Sequence, residues 1–226
     1  MHGTGELFSE FIHALRDAMP GIGTIESLNF PTDENHSYQQ LLVTLQKSVP
    51  ATEPFILLAE SFSTPLAIQF AARQPQNLRG LILCTGFGSS PAKGWRRLAG
   101  LFLAPILFRL PLPGAAVSFW LAGPGAPPSL LHAVRAAISS VRPKVLSARL
   151  RAVLCCDVRH ELSRIEVPIL LLQASRDRLV PASSAEEMLL IRPDATLKTL
   201  EGPHLLLQRE PHKAAAAVRD FIDPLN

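Results

Sequence analysis

The chain has few cysteines, no uninterrupted apolar run long enough to span a bilayer, and hardly any acid across its middle third. Of 226 residues only three are cysteine, Cys84, Cys155 and Cys156. Two of them are adjacent, a poor arrangement for an ordinary bridge. No disulfide framework is expected, and a reducing, cytoplasmic setting is the default. No histidine or further cysteine stands at ligand spacing around Cys155-Cys156, so no metal site is expected. Met1-His2-Gly3 runs into a Gly/Thr loop without the apolar core of a leader. The longest apolar stretch, Leu98 to Gly123, is broken by Arg109, Pro105, Pro111 and Pro113. A spanning helix wants about 20 consecutive apolar residues. Internal repeats and low-complexity tracts are absent.

Acid is scarce in one place. Between Pro91 and Arg164, eleven lysines and arginines stand against Asp157 and Glu161, although the whole chain carries only +3. A solvated helical surface accounts for this. So does attraction to an anion, such as an anionic lipid headgroup, an acidic carrier protein or a coenzyme-A tail. No nucleic-acid partner is expected.

Hydrophobic residues make up 47% of the chain, enough for one sizeable core with an insertion. Glu6 to Ala18 and Ser37 to Lys47 carry apolar residues at helical spacing. Thr24 to Phe30 resembles a short strand. Phe55 to Ala59, Leu78 to Cys84 and Val167 to Ala174 are continuous apolar runs, the pattern of strands buried on both faces of a parallel sheet. Helical patterns follow at Pro65 to Arg73, Ser183 to Ile191 and Pro211 to Ile222, and Ala195 to Leu200 is a further strand. Trp95 to Leu162 holds several helical segments separated by Pro/Gly clusters. The expected architecture is α/β: a doubly wound, mostly parallel sheet with an inserted helical cap. Its parts are residues 1–90 (core, first part), 91–164 (cap) and 165–226 (core, second part).

Three segments carry the chemistry. Ser61 lies in Ala59-Glu60-Ser61-Phe62-Ser63, between a buried strand and a helix. A sharp strand-to-helix turn needs small neighbours two residues before and after, and Ala59 and Ser63 qualify. The helix N-terminus behind it favours an oxyanion, with the Phe62 N–H as one donor. Asp177 follows the run ending at Ala174, with Asp157 in reserve. His204 lies in Gly202-Pro203-His204. A serine hydroxyl is a poor nucleophile until an imidazole takes its proton and a carboxylate fixes that imidazole's tautomer. The carboxyl ends of parallel strands deliver their loops to one crevice, which would gather all three.

Serine, then acid, then histidine is the chain order of the α/β-hydrolase triad. With Glu60 to Ala67, Val167 to Pro181 and Gly202 to Pro211, the chain resembles an α/β-hydrolase fold serine hydrolase from His2 to Ile222. The spacing is similar to that of capped members such as the pimeloyl-carrier-protein methyl ester esterases. The resemblance implies Ser61 as nucleophile, His204 as base, Asp177 as orienting acid, and hydrolysis of an ester or thioester through an acyl-enzyme without a cofactor. In the cap, Leu103, Leu107, Phe119 and Trp120 are candidates for an acyl pocket, and the substrate expected is a small-molecule acyl ester.

The chain departs from this family at its start. N-terminal strands are missing, and the loop that supplies the second oxyanion amide falls at the first residues. One alignment makes Thr4 the donor; another makes it Met1. The missing central strand would lie between Thr24–Phe30 and Phe55–Ala59. Its loss leaves neighbours about 9–10 Å apart, twice the strand spacing, with an open apolar slot. A second reading follows: a catalytically impaired hydrolase whose basic, apolar cap binds lipid or an acidic partner.

Overall fold

The computed structural model describes residues 5–109 and 113–225. A turn at Gly5–Phe8 leads into α1 (Ser9–Ala18), and α2 (Tyr38–Ser48) precedes β1 (Phe55–Glu60). Helix α3 (Thr64–Ala71) joins β1 to β2 (Leu78–Cys84). Between β2 and the next strand lie α4 (Gly94–Leu107), α5 (Gly114–Val117), α6 (Pro128–Ser139), α7 (Pro143–Leu154) and α8 (Arg159–Leu162). Then come β3 (Ile169–Ala174), α9 (Ala182–Ile191), β4 (Thr196–Leu200), α10 (Leu206–Arg209) and α11 (Pro211–Ile222). Among the described residues the sheet has four strands, all parallel, in the order β1-β2-β3-β4.

The continuous apolar runs are explained by burial on both faces. Leu81 and Leu83 of β2 and Ile169 and Leu171 of β3 face one core, with α2 and α3. Their neighbours Ile82, Cys84, Leu170 and Leu172 face a second, with α1 and α11. The period of two along each strand divides the side chains between the layers. Helix α2 begins where Ser37 caps it: Ser37 Oγ accepts from the Gln40 N–H at 3.3 Å, and the Ser37 N–H donates to Gln40 Oε1 at 2.8 Å. Helix α3 starts with Pro65, whose missing N–H costs nothing in a first turn.

The helices α4 to α8 leave and rejoin the sheet through one antiparallel bridge between Ser89 and Asp157. The Ser90 N–H donates to Cys156 O at 2.9 Å, and the Val158 N–H donates to Gly88 O at 2.8 Å. Helices α4 and α7 pack together at Gly100, where a Cβ would stand 2.7 Å from Leu154 Cδ1. That packing leaves Trp95, Leu98 and Phe102 of α4 exposed. Buried Arg149 of α7 reaches down and donates to Pro31 O at 2.7 Å.

Thr24–Phe30 forms no strand. A strand exists by its ladder. Among the described residues this segment has no strand hydrogen-bonded to it, so it runs as irregular chain. For the same reason β1 stands at the edge of the sheet that the described residues form, and most of its residues stay half-buried although Phe55-Ile-Leu-Leu-Ala59 is wholly apolar.

Candidate active site

Strand β1 delivers the serine. Ser61 follows its last residue and sits at φ +53°, in the left-handed region that a non-glycine residue adopts at a cost of about 1–2 kcal/mol. The turn is held from both sides. Ser63 Oγ donates to Glu60 O at 2.8 Å, and buried Thr64 Oγ1 donates to Ser61 O at 2.8 Å. Thr64 Oγ1 also accepts from the Phe87 N–H, which ties the turn to the chain beyond β2.

The loops after β3 and β4 bring the other two groups. Ser61 Oγ lies 2.8 Å from His204 Nε2, and His204 Nδ1 lies 2.7 Å from Asp177 Oδ2. The imidazole is 4% exposed and the carboxylate 1%, so their contact is shielded from water. The other carboxylate oxygen, Asp177 Oδ1, accepts from the N–H groups of Leu179 and Val180 at 2.8 and 2.9 Å. Asp177 is therefore fixed by its own loop before it meets the histidine. The flanking arginines turn elsewhere: Arg176 pairs with Glu201, and Arg178 covers the Phe119 ring at 3.9 Å. Asp157 is exposed and held by Arg159, whose guanidinium keeps its carboxyl below the usual range.

The histidine loop is braced by the cap. The Leu205 N–H donates to Leu121 O at 3.0 Å, and Arg209 Nη1 donates to Ala122 O at 2.9 Å. Gly123, at φ +74°, lies so close that a Cβ would stand 2.9 Å from Pro203 Cβ.

Phe62, whose N–H follows the nucleophile, is buried. Its ring stacks on Tyr38 with centroids 5.1 Å apart, and Tyr38 Oη donates to Phe62 O at 2.9 Å. Arg149 lies 5.7 Å above the same ring. Burial pushes the Tyr38 hydroxyl well up, so it stays a donor through neutral pH. Glu60, beside the nucleophile, has its carboxyl raised by burial, an effect that the Gln208 amide at 3.1 Å partly offsets. Tyr38, Glu60, Arg149 and Gln208 were not singled out by sequence pattern. Tyr38 is only one apolar position of an amphipathic helix there, and the others carry no motif.

A cleft of about 2130 Å³ opens at the serine and includes Ser61, Asp177, His204 and Trp120 in its wall. Leu103 and Phe119 are more than half exposed and lie outside that wall. Leu103 is on the outer side of α4, and Phe119 is drawn beneath Arg178. The Leu107 side chain, and Met1 and Thr4 as oxyanion donors, lie outside the described residues. Burial pushes the Cys156 thiol up to about 12, so it is no nucleophile near neutrality.

A parallel sheet flanked by helices, with a serine at a strained strand-to-helix turn and a buried His-Asp pair beside it, defines a serine hydrolase of α/β-hydrolase fold. The profile of the family described as serine aminopeptidase, S33, matches residues 35–211, and the chain belongs to that family. Over 218 residues it is 26% identical to the biotin biosynthesis bifunctional protein BioHC of Cellvibrio japonicus (strain Ueda107), covering 92% of this chain and 41% of that protein. The chain thus spans about two-fifths of the length of this curated relative. An esterase from Thermogutta terrifontis superposes with a TM-score of 0.75 at 20% identity, over 98% of this chain and 88% of that one. The enol-lactonase from Burkholderia xenovorans LB400 gives 0.77 at 14% identity, over 98% and 88%.

Proposed function

We propose that the protein is a carboxylic ester hydrolase that works through an acyl-enzyme on Ser61. The observation that carries this reading is the continuous relay from Ser61 Oγ to His204 Nε2 at 2.8 Å and from His204 Nδ1 to Asp177 Oδ2 at 2.7 Å. Ser61 Oγ attacks the ester carbonyl while His204 takes its proton. The Phe62 N–H donates to the oxyanion as the tetrahedral intermediate forms. His204 then protonates the leaving alkoxide, and the acyl group stays on Ser61. Water, deprotonated by the same imidazole, releases the acid and restores the serine. Asp177 holds the proton of Nδ1 and stabilises the imidazolium. A hydrophobic acyl group suits the apolar wall at Trp120 and Leu121. Thioesters share the chemistry.

A lipid surface is the partner that the cap suits best. Trp95, Leu98 and Phe102 of α4 are exposed at helical spacing, and residues 91–164 carry eleven basic residues against two acids. An acidic carrier protein answers to the charge but not to that apolar stripe. Free Cys84, Cys155 and Cys156 agree with a cytoplasmic location.

The test is labelling with a fluorophosphonate and turnover of p-nitrophenyl esters of graded acyl length. Ser61→Ala is expected to abolish both. Turnover retained by Ser61→Ala sinks the assignment.

A further inference from the structure

Two buried oxygens close to the nucleophile have no hydrogen-bond partner among the described residues, Glu60 Oε1 and Gln208 Oε1. They belong to groups that already touch, because Gln208 Nε2 donates to Glu60 Oε2 at 3.1 Å. A carboxylate and an amide joined by that one bond leave one oxygen over on each side. Both are acceptors, so neither can serve the other, and a buried acceptor without a donor is costly. One proton resolves both. With a hydroxyl at Oε1, Glu60 donates to Gln208 Oε1 while Gln208 Nε2 donates to Glu60 Oε2, and acid and amide close a ring of two hydrogen bonds.

The place of this pair in the fold gives it a task. Glu60 ends β1 and is bonded directly to Ser61; Gln208 lies in α10, four residues after His204. The pair therefore ties the nucleophile turn to the histidine loop. Each end is itself fixed. The Glu60 N–H donates to Ser63 Oγ at 3.2 Å, and Glu60 O accepts from Ser63 Oγ at 2.8 Å. Arg209, next to Gln208, donates to Ala122 O in the cap. The groups that face the Glu60 carboxyl among the described residues are the Leu207 N–H, the Gln208 amide, the His204 imidazole and the thiol of Cys84, which stands opposite Glu60 in the register of β1 and β2. Burial raises both the Glu60 carboxyl and the Cys84 thiol, the direction that keeps each of them neutral.

We propose that Glu60 is a positioning residue that works in its protonated form, and that its acid–amide pair with Gln208 holds Ser61 Oγ and His204 Nε2 in register for proton transfer. The neutral form also suits the chemistry. An ionised Glu60 would raise the proton affinity of the resting imidazole, which must be neutral to act as a base, and would oppose the oxyanion that forms beside it. Loss of the Glu60 proton breaks the bond to Gln208 Oε1 and sets two oxygens against each other, so α10 is pushed away from the nucleophile turn. Turnover then declines on the alkaline side, while the acid side is still set by His204. The positioning role rests on the esterase reading of Ser61; the proton on Glu60 does not.

Two independent readouts test this. The first is the carbon-13 signal of the Glu60 carboxyl in protein labelled at glutamate Cδ, assigned by its absence from Glu60→Gln. The signal of a protonated carboxyl is expected at neutral pH, and that of a carboxylate overturns the proposal. The second is the pH dependence of p-nitrophenyl butyrate turnover. Gln208→Leu and Glu60→Leu open the ring, and each is expected to lower kcat by about tenfold to a hundredfold with KM little changed, the mark of misplaced reacting groups. Glu60→Gln can close the ring again as an amide–amide pair. It is expected to recover most of the parent's kcat, to lose the alkaline decline and to leave the acid limb where it was. If Glu60 were ionised beside the resting His204, Glu60→Gln would instead move the acid limb down by roughly half a pH unit or more, and the proposal would be wrong. A Gln208→Leu enzyme with the parent's kcat also overturns it, as does an alkaline decline that survives in Glu60→Gln. Fluorophosphonate labelling of the parent reports on the esterase reading separately. A parent that neither labels nor turns over ends that reading and the positioning role with it, and the carbon-13 signal still decides whether Glu60 carries the proton.

Discussion

Asp177→Asn is the substitution whose outcome the geometry determines most closely. Asparagine is isosteric, so the loop can keep its shape. Its amide must choose an orientation. Two backbone N–H groups, those of Leu179 and Val180, point at the position of Oδ1 at 2.8 and 2.9 Å. They demand an oxygen there; an NH2 group facing them would forfeit two hydrogen bonds, about 1 kcal/mol each or more. The asparagine therefore presents its NH2 group to His204 Nδ1. That nitrogen must then accept rather than donate, which moves the imidazole proton to Nε2, facing Ser61 Oγ at 2.8 Å. A protonated Nε2 cannot take the serine proton. The expected loss in kcat is about 10⁴-fold, or ~5.4 kcal/mol of activation free energy, with KM little changed. Stability should change by only about 1 kcal/mol, because the loop bonds survive. Turnover of p-nitrophenyl butyrate measures the first effect and thermal unfolding the second. A kcat within tenfold of the parent would show that Asp177 does not set the histidine tautomer.

Other outcomes are expected from the same geometry. Gly123→Ala forces a side chain onto a positive φ and against Pro203, so it should lose about 1–2 kcal/mol of stability and lower kcat by displacing His204. Unfolding curves and ester turnover check this together. Tyr38→Phe removes the hydrogen bond to Phe62 O and should cost about 1 kcal/mol of stability and a few-fold in kcat, with KM unchanged. Glu60 binds its proton more tightly in the folded state, because burial raises its carboxyl. Its contribution to stability is therefore full below the unfolded carboxylate range and is lost as pH rises through the folded value. Glu60→Gln should accordingly gain stability over the parent at about pH 8, with the difference vanishing near about pH 4; an equal difference at both would show that Glu60 does not titrate with folding.

The buried strands could be read because apolar side chains run without interruption where both faces are covered, as in Leu81-Ile-Leu-Cys84 and Ile169-Leu-Leu-Leu172. The helices could be read from period and caps, as with Ser37 and Gln40 at the start of α2. Thr24–Phe30 shows the limit. Its composition suits a strand, but pairing is a property of the neighbour, and among the described residues no strand pairs with it. The acyl-pocket candidates show a second limit. Trp120, Leu103 and Phe119 are alike in sequence, and only the packing of α4 on α7 and of Arg178 on Phe119 separates the first from the other two.

The amino-acid order alone determined which groups are available: a serine between small neighbours after an apolar run, an acid after a later one, and a histidine after the last. These are local properties, set by turn sterics and by strand burial. Only the tertiary structure decided that they form one relay. Residues 143 positions apart meet at 2.8 Å because parallel strands end on the same side of the sheet. It also decided what surrounds them: the two amides that lock Asp177, the tyrosine behind Phe62, and the cleft that opens at the serine. Those depend on which segments lie side by side, which is a matter of long-range packing and not of local pattern.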